Sequence, residues 1–303
     1  MDEIERFLDY LLAERGYSRL TLKTYRSSLT SLRDYLDEHC ERIGWEAVDS
    51  DMIRNWIAAT LIAGTDKRTM RKHLAATRSF YRYLLRMGKV TTDPAHLVGN
   101  PKVAKRLPEF LKEQEMNALF DTLTYPDTFQ GHRDRLILLT LCSTGIRLSE
   151  LTGLCVEHIA LEKGELKVLG KHNKERIVPF GNELRETLLA YLPLRESLCH
   201  IPTGPLFLRE DTKALRDSEV REIVKQHISS VSSIRKRTPH VLRHTFATVM
   251  LNHGADIRAV QEILGHESMT TTEVYTHVSI SDLKEQYAKA HPRVHNEPHS
   301  SSE

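Results

Sequence analysis

Glu165-Leu-Lys-Val-Leu169, a polar turn at Lys171–Lys174 and Arg176-Ile-Val-Pro179 read together as a β-hairpin: two short apolar and β-branched runs around a polar reversal. This is the one β signal in the 303-residue chain. On either side of it the apolar residues recur at helical spacing, over about 112–123, 132–143, 183–191, 217–231, 240–253 and 256–264. The fold class expected from this pattern is mainly α with a small β-sheet or hairpin in the second domain (α+β).

The first hundred residues read as helical throughout. Leu22, Tyr25, Leu29, Leu32 and Leu36 form an apolar stripe after Ser18, a suitable N-cap. A second helix opens near Asp51 with Met52, Ile53, Trp56 and Ile57. A third runs from about Asp66 to Met87, with Met70, Leu74, Thr77, Tyr81 and Leu84 on one face and Gly88 as its stop. Pro94, Gly99, Asn100 and Pro101 then break the periodicity. A basic, extended stretch follows, which places a linker at about 100–108. The domains expected are therefore 1–99, helical, and 109–294, with 295–303 a low-complexity tail expected to be disordered.

Charge is unevenly distributed. Residues 54–108 carry 12 Lys/Arg against the two acids Asp66 and Asp93, a local +10 in a chain whose total is only +2. Arg71, Arg78, Arg82 and Arg86 fall on one stripe of the third helix, with Lys72 beside them. That makes a basic ridge suited to a nucleic-acid groove, although a charge run alone also fits a solvated helix face. The composition, 40% apolar and 28% charged, is that of a globular chain, and no apolar run approaches the ~18 residues of a membrane span. The acidic start MDEIERFLDY lacks the layout of a signal peptide. Cys40, Cys142, Cys155 and Cys199 are scattered, without a Cys-x-x-Cys pair. A cytoplasmic setting is expected, with no disulfide framework and no cysteine zinc site.

Four segments of the second domain carry the chemistry. They are Ser143-Thr-Gly-Ile-Arg147-Leu-Ser-Glu150-Leu151, Gly170-Lys171-His-Asn-Lys-Glu-Arg176, His240-Val-Leu-Arg243-His-Thr-Phe-Ala-Thr248, and Leu264-Gly-His266 running on to Tyr275-Thr-His277. Thr238-Pro239 starts a helix, so His240 and Arg243 share a face near its N-terminus, where anions are favoured. Arg147 follows a helix end at Gly145, and Lys171 sits at the hairpin tip. A tyrosine, two arginines, a lysine and two histidines form a metal-free set for phosphoryl transfer, which depends on positioning and charge neutralisation. His240 and His244 at i, i+4 would suit a zinc pair, but the sequence offers neither His-Glu-x-x-His nor a third ligand.

In order and wording these segments resemble the tyrosine recombinase (phage integrase) family, whose pattern is Arg, Lys, His-x-x-Arg, His/Trp, Tyr. They are most similar to its bacterial Xer-type members, and the likeness runs through nearly the whole chain. The resemblance implies a two-domain C-shaped DNA clamp with an N-terminal core-binding (SAM-like) domain and a catalytic domain. It implies that Tyr275 is the nucleophile, forming a 3′-phosphotyrosyl link to DNA, and that Arg147 and Arg243 hold the phosphate. Lys171 is then the general acid, His240 exchanges a proton with the tyrosine, His266 bonds the phosphate, and Glu150 orients its neighbours. It further implies that Arg71, Lys72, Arg78, Arg82 and Arg86 bind double-stranded DNA and that neither cofactor nor metal takes part. The assembly is a homo- or hetero-tetramer on two DNA sites, with a septal DNA translocase as a further partner. The helix at about 280–289 either docks into a neighbouring subunit or packs within its own chain. The implied task is resolution of chromosome or plasmid dimers in cell division. The alternatives are a transposon or phage integrase, a regulator that has lost catalysis, and a type IB topoisomerase. The short N-terminus leaves no room for an extra arm-binding domain, which favours the simple recombinase.

Overall fold

The computed structural model describes residues 2–41, 43–103, 109–170, 174–265 and 279–294. The chain divides into two compact units, Met1–Arg106 and Leu107–Glu303. Most of the expected linker, at 104–108, and the expected tail at 295–303 lie outside the described residues.

Among its described residues the first unit holds four α-helices: α1 (Glu3–Ala13), α2 (Arg19–His39), α3 (Ser50–Ile62) and α4 (Lys67–Arg86). Their starts follow from local chemistry. Ser18 accepts the Thr21 amide, Asp49 those of Asp51 and Met52, and Asp66 that of Arg68, each satisfying N–H groups that a helix leaves unpaired. The stripe read on α2 is its buried face, and Leu29, Leu32 and Leu36 are wholly enclosed. They meet Phe7, Trp56 and Phe80 in one core.

The second unit is built around α6 (Phe129–Thr144), from Leu136 on buried on every side, as a helix apolar all round must be. Around it lie α5 (Glu113–Asp121), α7 (Leu148–Thr152), α8 (Asn182–Cys199), α9 (Asp217–Val231), α10 (Pro239–Asn252), α11 (Ile257–Leu264) and α12 (Ile280–Ala290). The sheet is antiparallel in the order β1 (Ile159–Ala160), β2 (Glu165–Leu169), β3 (Glu175–Pro179). Register pairs Leu166 with Val178 and Val168 with Arg176. Since directly opposed residues share a face, Leu166, Val168, Arg176 and Val178 all point to the same side, where three are core.

Two elements differ from the sequence reading, and a third was left open by it. The short β1 lacks an alternating pattern of its own and is held by β2. α8 continues past Pro193 to Cys199, because a helix tolerates the missing N–H where the partner carbonyl, at Leu189, sits on an exposed face. α12 packs within its own unit, burying Leu283 and Tyr287 in the core while Ile280 stays exposed.

Candidate phosphate-binding site

The site starts at the end of α6. Gly145 adopts a left-handed conformation (φ 60°) that turns the chain sharply against α10 and α11. Any side chain there would meet buried neighbours, since a Cβ would lie 2.5 Å from Phe246 and 2.8 Å from Leu264. The turn delivers Arg147 to the start of α7, where Glu150 reaches back to accept its amide at 2.7 Å.

Glu150 is only 5% exposed and is the anionic centre of the cluster. Its Oε1 also accepts Nη1 of Arg147 at 2.8 Å. Arg176 donates to both oxygens, Nη1 to Oε1 at 2.7 Å and Nη2 to Oε2 at 2.9 Å, a bidentate fork. Burial by itself would raise the Glu150 carboxyl. The bonds from Arg176 and from the Arg147 amide outweigh it and hold the group below the usual carboxylate range.

Arg243, on the first turns of α10, donates Nη1 to the carbonyl of Gly145 and Nη2 to that of Leu264, both at 2.7 Å. Burial pulls its guanidinium down to about 10, and repulsion from Arg147 and Arg176 adds to this against the pull of Glu150. It remains cationic at neutral pH.

The C-terminus of α11 joins the three arginines. Ile263 O accepts Nε of Arg176 at 2.8 Å, Leu264 O accepts Arg243, and Gly265 O accepts Nη2 of Arg147 at 2.7 Å. These last carbonyls have no partner within a helix and carry the negative end of its dipole, so guanidinium donors satisfy them and gain from their charge. An open cleft of about 530 Å³ is lined by Arg147, Glu150, Gly170, Lys174, Arg176 and Gly265, among others.

Arg147, Glu150 and Arg243 are thus brought together from segments about a hundred residues apart. His240 stands exposed one turn N-terminal to Arg243, directly after Pro239, and makes no hydrogen bond to the cluster among the described residues. Lys171, His266 and Tyr275 lie outside the described residues. Among the described residues no group of three or more His, Cys, Asp or Glu side chains could hold a metal ion. No described helix is long and apolar enough to cross a membrane.

Arg176 is the member that sequence reasoning left out. A signal was available: in the alternation of the hairpin it takes a core-facing position, where an unpaired charge is costly.

On α4 the basic ridge divides. Arg71, Lys72, Arg82 and Arg86 are exposed, and the Arg86 guanidinium lies 4.7 Å from the centre of the Tyr10 ring. Arg78 turns inward within its unit. It donates to the Ala95 carbonyl at 3.1 Å, to Asn100 Oδ1 at 3.2 Å and to the Val98 carbonyl, tying down the loop after α4.

Likeness to known families, relatives and solved structures bears on this arrangement. Residues 109–281 match the phage integrase family and residues 4–88 the phage integrase N-terminal SAM-like domain. The chain belongs to that family, the tyrosine recombinases, and is a site-specific recombinase that cuts and rejoins DNA. It is 42% identical over 297 residues to tyrosine recombinase XerC of Pelobacter propionicus, covering 97% of this chain and 96% of the relative. Tyrosine recombinase XerD of Staphylococcus epidermidis is 37% identical over 296 residues, with 96% and 99% covered. Among solved structures, the fold is similar to that of XerH recombinase bound to its difH substrate, with a TM-score of 0.70 at 22% identity over 94% of this chain and 84% of that one. It is also similar to a lambda integrase dimer bound to a COC′ core site, with a TM-score of 0.68 at 18% identity over 91% and 98%.

Proposed function

We propose that this chain is an Xer-type recombinase that resolves chromosome or plasmid dimers, with Tyr275 as its nucleophile. The observation that supports this reading most directly is the convergence of Arg147 and Arg243. A guanidinium has five N–H donors. Among the described residues Arg147 and Arg243 each commit two, to Glu150 or to carbonyls. Both keep donors for a further anion.

The phenolic oxygen of Tyr275 attacks a backbone phosphorus, the P–O5′ bond breaks, and a 3′-phosphotyrosyl link replaces it. Arg147 and Arg243 hold the non-bridging oxygens as negative charge grows on them. Lys171 gives a proton to the leaving 5′-oxygen, and His240 takes the tyrosine proton. His266 bonds the phosphate. The bond energy stays in the protein–DNA link, so the 5′-hydroxyl of a partner strand can reverse the attack. In this reading the chain acts in the cytoplasm as a homo- or hetero-tetramer on two double-stranded sites, with a septal DNA translocase as activator. The exposed cations of α4 bind the duplex backbone.

The test uses a duplex site selected from a random-sequence library by the unsubstituted chain and resynthesised with a nick. Tyr275→Phe is expected to bind this duplex and to form no denaturation-resistant adduct. An adduct that survives the substitution refutes the assignment.

A further inference from the structure

We propose that Arg176 is a positioning residue for DNA cleavage, a role that rests on the recombinase reading above. Three of its five N–H donors are committed, one on each nitrogen, against two in Arg147 and in Arg243. Nη1 and Nη2 go to the two oxygens of Glu150, and Nε goes to the Ile263 carbonyl. With its side chain 12% exposed against 37% for Arg147, it is tied more to protein acceptors than to the open cleft.

What it controls is the setting of Arg147. A carboxylate offers about four lone-pair directions. At Glu150 these are taken by the Arg147 amide, Arg147 Nη1 and two N–H groups of Arg176. Half of the bonds that aim the carboxylate therefore come from Arg176. The second anchor of Arg147 is the Gly265 carbonyl at the end of α11, and Arg176 holds that end too. It bonds Ile263 O and lies against Gly265, where a Cβ would be 3.1 Å from its guanidinium. Both contacts that fix Arg147 thus pass through one side chain on β3, which ties the hairpin to α7 and α11.

The fork shape matters as much as the charge. A lysine ammonium is a point donor and cannot span both Glu150 oxygens and the Ile263 carbonyl in one plane. The charge of Arg176 also offsets Glu150, which would otherwise draw Arg147 and Arg243 more tightly towards itself.

Arg176→Gln and Arg176→Lys test the proposal on the nicked duplex described above. Adduct formation is followed in single turnover at saturating DNA, alongside DNA affinity and melting temperature, well below the melting point of each variant. Arg176→Gln should slow cleavage by about 10–100-fold, the scale of a misplacement of order 1 Å, with affinity little changed. Arg176→Lys, the variant more certain to fold, should recover only part of the rate. A melting temperature that falls while cleavage keeps its rate makes Arg176 a purely structural residue and overturns the proposal. So does a lysine variant as fast as the unsubstituted chain. If the unsubstituted chain forms no adduct, the recombinase reading falls, and this proposal with it. A normal adduct in the unsubstituted chain with fast variants removes the proposal alone.

Discussion

Replacing Glu150 by glutamine changes one oxygen to an NH2 group at nearly constant shape, and its cost can be worked from the exposures of the partners. The Glu150 side chain is 2% exposed and that of Arg176 12%, so this pair is buried. Breaking a buried pair while leaving one charge in place costs about 3–5 kcal/mol. The Arg147 side chain is 37% exposed, so its ion pair with Glu150 is screened and contributes at most about 1 kcal/mol. Glutamine keeps one acceptor for Arg176 or for the Arg147 amide but turns two donors towards guanidinium groups. The low end, about 3 kcal/mol, is the expectation. For a unit the size of Leu107–Glu303, each kcal/mol moves the melting temperature by roughly 2–4 °C, which gives a loss of about 6–12 °C.

The pH dependence gives a second, independent check. The Glu150 carboxyl titrates below its ordinary value of about 4.5 in the folded chain. A depressed carboxylate contributes stability that is present above the unfolded value and is lost as pH falls through the folded one. Calorimetric melts of the two proteins should therefore run parallel from neutral pH down to about 5 and converge only in stronger acid. A gap of less than about 2 °C at neutral pH, or one that widens in acid, would refute the buried-pair reasoning.

Gly145→Ala should cost about 2–5 kcal/mol, from left-handed strain and overpacking against Phe246 and Leu264, and a melting temperature within about 2 °C of the parent would show that the turn relaxes. Neutralising Arg71 and Arg82 should weaken DNA binding and flatten its salt dependence by about 0.9 for each phosphate left without its cation, whereas Arg78→Gln should act chiefly on the stability of its own unit; a titration across salt concentrations with parallel melts separates the two. Burial of His291 holds its imidazole down at about 4 from an ordinary 6.5, only partly offset by the Cys142 carbonyl. Stability is then full above 6.5 and falls as pH drops towards 4, by ~2 kcal/mol at pH 5. His291→Phe, which keeps the stacking on Tyr287, should abolish that fall, and an unchanged pH profile would exclude His291 as its source.

Local rules carried the reading of the elements. Ser18 and Asp66 cap the helices they were expected to start, and the hairpin pairs over the residues that its alternation marked. Tertiary partners were less legible. Arg78 shares a stripe with Arg71 and Arg82, yet its guanidinium is taken by carbonyls of the following loop, which no helical spacing can announce. Arg195, at 2% exposure, is likewise committed to the carbonyls of Pro205, Ile201 and Thr203. Arg147, Glu150 and Arg243 were identifiable as types in an order. What gathers them, the end of α11 and Arg176, became visible only through the packing of β3 and α11 on α7 and α10. The proposed roles of Lys171, His266 and Tyr275 still rest on the sequence and the family resemblance.

A site for a phosphodiester has to bring cations together before the anion arrives, and three guanidiniums at this spacing repel one another. Glu150 supplies one negative charge, and the end of α11 contributes roughly half of another through its last carbonyls. Within this hydrogen-bonded cluster the three cations leave a surplus of about +1.5. Burial is the main reason the Arg243 guanidinium is lowered to about 10, and repulsion from Arg147 and Arg176 adds to it. The surplus falls on Arg147 and Arg243, because Arg176 is committed to Glu150 and Ile263. In the proposed reaction a phosphodiester brings one negative charge and gains more as the tyrosine oxygen attacks, so the surplus is neutralised best when that charge is greatest. Full neutralisation by a second carboxylate would make the empty site more stable and would remove that preference. Glu150 therefore holds Arg147 and Arg176 in place without cancelling the charge of the cluster.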